Sequence, residues 1–362
     1  MVLVAALIAI LGQTSVTAQQ EHGGQTSRDV PWLSEVQSPT EPILQITLPR
    51  LIDDQTTLED WQNQRVTLRK DWLEFLNPIP RPQTLPPVTI LSDETVDGVR
   101  RQLLQYTSEA GWVCEAYQLT PIAKSESKRA SRKYPGVVVF HSTVNHSIRQ
   151  PAGVEGKTEK AFAMTLAKRG FVTFCPRNFL WPSNHKIDAN SQTALFHKRH
   201  PNRKGMAKML YDAQLAVDLL LSHPQVDSSR IGAVGHSLGA KEVLYLAAMD
   251  ERVKVSVSSE GGIGMTFSNW DAAWYLGPLL SNWQKQHDHH ELLALVAPRP
   301  FLLVGGNSAD GKQSWPYVMR ASEVYRLYGS PARMGQLVHG RGHAVPPIAE
   351  KKIYEWLETY LR

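Results

Sequence analysis

Apolar residues along this chain repeat with two different periods, and the changes of period outline its parts. Leu58, Trp61, Arg65, Leu68, Trp72, Phe75 and Leu76 fall on one face of a helix. Thr56-Thr57-Leu58-Glu59 offers a capping box ahead of them, and Asn77-Pro78 a stop. A Pro-rich linker runs on to Pro87. From about residue 95 the step shortens. Val99 to Thr107 and Trp112 to Thr120 predict two strands of a hairpin, turned at Glu109-Ala110-Gly111.

Beyond the hairpin, short apolar runs alternate with helical repeats. Gly136 to Phe140, Phe171 to Cys175, Ile231 to Val234, Val253 to Ser258, Phe301 to Val304 and Gly335 to Val338 read as strands. The unbroken β-branched run from Gly136 suits a strand buried on both faces. Helices are expected over about 157–169, 206–221, 240–249, 315–328 and 348–361. This alternation predicts an α/β architecture, a mostly parallel central sheet with helices on both faces. Residues 177–205 show no clear period and read as an insertion or a surface excursion. The chain divides into an N-terminal helical extension and linker, 19–94, and a main domain, 95–362.

The 362 residues are 42% apolar and 20% charged, a globular composition. A net charge of +5 is a mild bias over this length and implies no nucleic-acid partner. Two basic runs, Lys124 to Lys133 and His197 to Lys204, read either as solvated loops or as surfaces attracting an acidic polysaccharide. Two cysteines exclude a disulfide-stapled scaffold. Cys114 and Cys175 each sit in a strand-like run, either paired or as buried free thiols. No apolar run reaches the roughly 18 residues of a membrane span. Val2 to Leu11 form a short apolar core, followed by Val16-Thr17-Ala18 and a polar stretch from Gln19. Residues 1–18 therefore read as a signal peptide of a secreted or periplasmic protein. The alternative for them is a buried N-terminal helix.

Gly235-His236-Ser237-Leu238-Gly239 carries the most specific chemistry. A strand is expected before it and a helix after it, the context in which a G-x-S-x-G turn lifts a serine hydroxyl clear of a sheet. The Leu238 N–H would then point where an oxyanion forms. A serine hydroxyl needs a base within hydrogen-bond reach. His343, in Gly340-Arg341-Gly342-His343-Ala344, follows the last expected strand. Two acids can hold that histidine. Asp310 follows the strand ending at Val304, the usual place for the acid, and Glu260 follows the preceding strand. Asp310 is the expected partner, with Glu260 the alternative. A second oxyanion donor is expected from the loop after Phe140, at Ser142 or Thr143, with His141 either ordering that loop or binding substrate.

Together these motifs resemble the α/β-hydrolase superfamily over about residues 95–362. Ala297-Pro298-Arg299-Pro300 and Tyr211-Asp212-Ala213 look like those of bacterial dienelactone-hydrolase-like and acetyl-xylan-esterase-like proteins. A partial resemblance to glucuronoyl esterases rests on Lys241, four residues after Ser237, and on Glu260-Gly261-Gly262. Leu238 departs from that pattern, since it stands where those enzymes carry an oxyanion arginine. The resemblance implies an α/β-hydrolase fold and ester hydrolysis through Ser237, His343 and an acid, with no cofactor. The substrate it implies is a polysaccharide-linked ester, acetyl or glucuronoyl. A small-molecule carboxylesterase or a serine peptidase on the same fold is the alternative, and a non-catalytic carbohydrate-binding protein the alternative of another class.

Lys241, Trp270 and Trp274 are candidate substrate contacts, against the plainer fates of a solvated lysine and packed aromatics. His287-Asp288-His289-His290 is rich in ligand types. It lacks the spacing of a helical metal pair, and no metal is assigned to it.

Overall fold

The computed structural model describes residues 48–123, 132–182, 186–329 and 333–362. The stretch read as a signal peptide and residues 124–131 of the first basic run lie outside them. Among the described residues nine strands form one sheet: β1 (Thr89–Val96), β2 (Val99–Glu109), β3 (Trp112–Pro121), β4 (Tyr134–Phe140), β5 (Val172–Pro176), β6 (Val226–His236), β7 (Val253–Ser259), β8 (Phe301–Gly305) and β9 (Met334–Val338). Their order across the sheet is β1-β2-β3-β5-β4-β6-β7-β8-β9. The first three strands and β5 pair antiparallel. From β5 to β9 every pairing is parallel. This is the α/β-hydrolase fold.

The helices are α1 (Leu58–Leu76), α2 (Phe162–Lys168), α3 (Ala189–Arg199), α4 (Gly205–Ser222), α5 (Leu238–Met249), α6 (Leu280–Trp283), α7 (His290–Val296), α8 (Trp315–Leu327) and α9 (Pro347–Leu361). Two cores result, one on each face of the sheet. Val138 and Phe140 of β4 join the core covered by α1, α4, α5, α7 and α8. Val137 and Val139 join the one covered by α2 and α9. Successive side chains of a strand point to opposite faces, so a strand that serves two cores must be apolar throughout. The same alternation separates the cysteines. Cys114 belongs to the first core and Cys175 to the second, and both are free thiols.

Several elements differ from the sequence expectation. β1 begins at Thr89, ahead of the boundary placed at 95, and its residues are exposed up to Val96. An edge strand wet on both faces carries no apolar alternation. The capping box lies one residue later than expected. Thr57 Oγ1 accepts from the Asp60 amide at 3.1 Å, and Asp60 accepts from the Thr57 amide at 2.9 Å. α2 starts at Phe162, after a separate turn at Thr158–Lys160. The segment 177–205 contains α3, capped by Asp188, which accepts from the Ser191 amide at 3.2 Å.

The N-terminal helix is built into the larger core. Trp61 and Trp72 are fully buried, each worth about 1.5–3 kcal/mol relative to exposure. Trp72 Nε1 donates to Glu291 at the start of α7, 2.7 Å away. Arg69 donates to the Met249 carbonyl at 2.7 Å, and Arg65 to that of Leu295 at 3.2 Å. These are carbonyls of the last turns of α5 and α7, which have no intrahelical partner. The second basic run forms a seam. Arg199 and His200 both bind Glu109 at 2.8 Å, and the Lys204 ammonium lies 4.8 Å from the Phe75 ring centre.

Candidate active site

Ser237 stands between β6 and α5 with φ 61° and ψ −118°. A non-glycine residue takes this conformation only where its surroundings compel it. The surroundings are two glycines with no room for a side chain. A Cβ on Gly235 would lie 2.3 Å from the Gly239 carbonyl oxygen, and one on Gly239 would lie 2.5 Å from that of Phe140. The strand can therefore pass directly into the helix, with the Ser237 side chain at its N-terminus. The Ser237 amide is held by the Ser259 carbonyl at 2.8 Å. Leu238, the first residue of α5, has no intrahelical acceptor for its N–H.

His343 sits on the loop between β9 and α9, its side chain 43% exposed. Its ring centre is 4.8 Å from that of His236, the residue before Ser237. Among the described residues no direct hydrogen bond joins Ser237 to His343. Catalytic hydrogen bonds are often loose until substrate is bound.

The expected contact between Asp310 and His343 is corrected by the structure. His343 Nδ1 lies 3.2 Å from Glu260 Oε2. Glu260 is buried and also accepts from the amides of Gly306 and Ala309, the latter at 2.7 Å. Burial pushes its carboxyl up, but the bonds from His343, Gly306 and Ala309 outweigh this and the net shift is downward. Asp310 points away from the histidine. It accepts from the amides of Gly262 at 2.7 Å and Ile263 at 2.8 Å, and from the Ser314 hydroxyl at 2.8 Å. The reason lies in the loop after β8. Its amides face Glu260, and its one carboxylate is drawn to the unpaired amides of the loop after β7.

His141 is buried, and both its ring nitrogens are engaged; of its two expected roles, this fits ordering the loop and not touching substrate. Nε2 accepts from the Asn178 amide at 3.1 Å, so the proton is on Nδ1, 2.8 Å from the Ser142 carbonyl. Burial pushes the ring pKa down to about 4, which keeps it neutral. The Ser142 carbonyl also accepts from the Val144 amide at 2.9 Å. His141 thus orders the turn that carries Ser142, which is buried, and Thr143, which is exposed.

Lys241 is buried rather than solvated. Its ammonium donates to the Ser268 hydroxyl at 2.7 Å and lies 3.7 Å from the Trp270 ring centre. Burial pushes its pKa down to about 7, against the opposing pull of Asp310. Trp270 has no exposed surface and donates to the Gly262 carbonyl at 2.8 Å. It carries Lys241 and cannot itself touch a substrate, which corrects that expectation. Trp274 is half-buried against the larger core.

The residues of 287–290 serve the core in separate ways. The His287 ring stacks on Trp283, 3.9 Å between centres. Asp288 accepts from the Tyr317 hydroxyl at 2.8 Å, and His289 bridges Tyr245 and the Ile263 carbonyl. Among the described residues no three His, Cys, Asp or Glu side chains are grouped to hold a metal ion. Sequence reasoning missed Lys160, Asn178, Ser259 and Ser268, which touch the site from loops or strand ends without any local signature.

Residues 122–272 are similar to the dienelactone hydrolase family, whose model they match. Two curated relatives share part of it. One is YtaP of Bacillus subtilis (strain 168), named as a hydrolase, 33% identical over 104 residues, which are 27% of this chain and 34% of that one. The other, from Saccharomyces cerevisiae (strain ATCC 204508 / S288c), is named as a carboxymethylenebutenolidase. It is 27% identical over 124 residues, 33% of this chain and 41% of that one. The chain therefore spans less than half the length of either. Among solved structures, a glucuronoyl esterase from Solibacter usitatus superposes with a TM-score of 0.66 at 16% identity, covering 88% of this chain and 99% of that one. A Bacteroides fragilis NCTC 9343 chain named as an acetyl xylan esterase gives 0.62 at 14%, covering 80% and 77%. A glucuronoyl esterase from Teredinibacter turnerae T7901 gives 0.60 at 19%, covering 84% and 85%. At these identities the likeness is one of fold.

Proposed function

We propose that this protein is an exported serine ester hydrolase acting on polysaccharide-linked esters through Ser237, His343 and Glu260. One observation carries the reading. A serine forced into a left-handed turn at a helix N-terminus shares a site with a histidine whose Nδ1 faces a buried carboxylate. In the reaction, His343 Nε2 takes the Ser237 proton as the hydroxyl oxygen attacks the ester carbonyl. The tetrahedral oxyanion is met by the Leu238 N–H and an amide of Ser142 or Thr143, each such donor worth about 10²–10³ in rate. Collapse breaks the bond to the alcohol oxygen, which leaves with the proton from His343. Water then attacks the acyl-enzyme, losing its proton to His343, and releases the acid as Ser237 regains its proton. Glu260 keeps the Nδ1 proton in place and stabilises the imidazolium.

The substrate class is supported by Lys241, one turn after Ser237 on α5, whose ammonium lies over the Trp270 ring and donates to the Ser268 hydroxyl. Such a pair suits sugar hydroxyls or a uronate carboxylate better than a purely apolar acyl chain. The structural neighbours named as glucuronoyl and acetyl xylan esterases point the same way. Residues 1–18, as a leader, would deliver the enzyme to where such polymers lie. The test is hydrolysis of acetylated xylan, glucuronate esters and short 4-nitrophenyl esters by the purified chain beside Ser237→Ala. Turnover of a sugar-linked ester by the parent alone is expected. Failure on every ester overturns the reading, and hydrolysis of the 4-nitrophenyl esters alone overturns the polysaccharide part.

A further inference from the structure

Lys160 closes the short turn ahead of α2, far in sequence from the serine and the histidine. Its ammonium is 3.0 Å from His236 Nε2 and 3.3 Å from the carbonyl oxygen of His343. A charged ammonium offers only donors, so His236 Nε2 must accept and the ring proton must sit on Nδ1. Nδ1 faces the Ser259 hydroxyl at 3.1 Å, which therefore accepts. Burial, and after it the charge of Lys160, push the His236 ring well below the usual histidine range, in keeping with a neutral ring. Ser259 in turn holds the Ser237 amide through its carbonyl. A single ammonium thus joins the residue before the serine to the backbone of the histidine.

The loop that carries His343 has few other ties. The Gly342 amide donates to the Gly306 carbonyl at 2.7 Å, the His339 amide to that of Gly305 at 2.8 Å, and the His343 ring to Glu260. Gly340, Arg341 and His343 are exposed. None of these hydrogen bonds reaches the Ser237 turn, which the loop also meets through the His343 ring, 4.8 Å from that of His236. We propose that Lys160 is a positioning residue, a brace that sets the spacing between the Ser237 turn and the His343 loop. Lys160 touches neither the serine hydroxyl nor the histidine ring, so its effect is geometric. A misplacement of about 1 Å between reacting groups can cost on the order of 10²-fold in rate. This inference rests on the reading of Ser237 and His343 as nucleophile and base, but the brace can be measured without turnover.

The experiment compares the full chain with Lys160→Met and Lys160→Arg, with Lys160→Gln in reserve should the methionine variant fail to fold. Amide hydrogen exchange over residues 339–346 is read first. Lys160→Met should speed it by about tenfold, the loss of one charge-assisted bond, while the rest of the sheet is unchanged. On an ester substrate, kcat should fall about 10–100-fold with KM within about twofold, and Lys160→Arg should keep most of the rate. Unchanged exchange in that loop, or a uniform rise across the chain, overturns the proposal. If the parent cleaves no ester, the hydrolase reading falls, and the exchange result still decides the brace.

Discussion

Glu260 and Asp310 each hold the loop that carries the other. Glu260, after β7, accepts from amides of the loop after β8, and Asp310, within that loop, accepts from amides of the loop after β7. Only Glu260 also meets the histidine. The two carboxylates therefore have separable roles, one facing the imidazole and one locking the frame behind it.

Glu260→Gln should lower kcat by about 10³–10⁴, because an amide cannot hold the Nδ1 proton as a carboxylate does. Asp310→Asn should cost far less in rate. It should instead lower unfolding free energy by about 1–3 kcal/mol, since its NH₂ opposes a buried donor that the carboxylate accepted. Steady-state kinetics and denaturant unfolding of both variants check the division. Equal losses of rate would contradict it.

Ser237→Ala should abolish hydrolysis and leave the fold intact. Ser237→Gly should be equally inactive but more stable than the alanine variant by about 1 kcal/mol, because glycine accepts the positive φ without strain. Thermal melts of the pair give the comparison. A less stable glycine variant would mean that the turn is not strained.

Lys241 ties stability to pH. Its folded pKa is depressed to about 7 from 10.5, chiefly by burial. Between those values the folded chain binds one proton fewer than the unfolded chain, so stability rises with pH across that window. Below about 7 both states are protonated and the burial penalty is fully present. Lys241→Met removes the penalty. The unfolding free energy of the variant minus that of the parent should be larger at about pH 6 than at about pH 9.5. Urea titrations at the two pH values would show it, and a difference independent of pH would place the lysine in water.

Trp72→Ala should lower unfolding free energy by about 3–5 kcal/mol, the range for emptying a large aromatic site. It leaves Glu291 without its indole donor beside His287. Trp72→Phe fills most of the space and should fall between the alanine variant and the parent. Calorimetry on the three proteins orders them, and a mild alanine variant would show α1 to be a loosely attached flank.

The central sheet was legible because its strands are buried on both faces and so are apolar without interruption, as in Gly136 to Phe140. β1 was not, because an exposed edge strand such as Thr89–Val96 has no buried face to imprint on its sequence. α7 was hidden by a start of His290-Glu291, whose acid is matched only by partners on α1 and in the preceding loop. The turns that carry Ser237 and His343 were legible because glycines mark them. The choice between Glu260 and Asp310 was not, since each follows a strand and only the amide directions of the two loops distinguish them. Lys160 was out of reach for the same reason, its partners lying 76 and 183 residues away.

The bond between Trp72 and Glu291 spans 219 residues. During synthesis at about 5–20 residues per second, α1 emerges roughly 10–45 s before the helix it packs on. Through that interval Trp61, Leu68, Trp72 and Leu76 present a greasy stripe that α7 does not yet cover. The nascent chain is thus most at risk of clumping early, and a chaperone that grips short amphipathic segments would find its target in the first helix. The finished protein conceals that hazard, since later-made partners seal a segment that was made well before them.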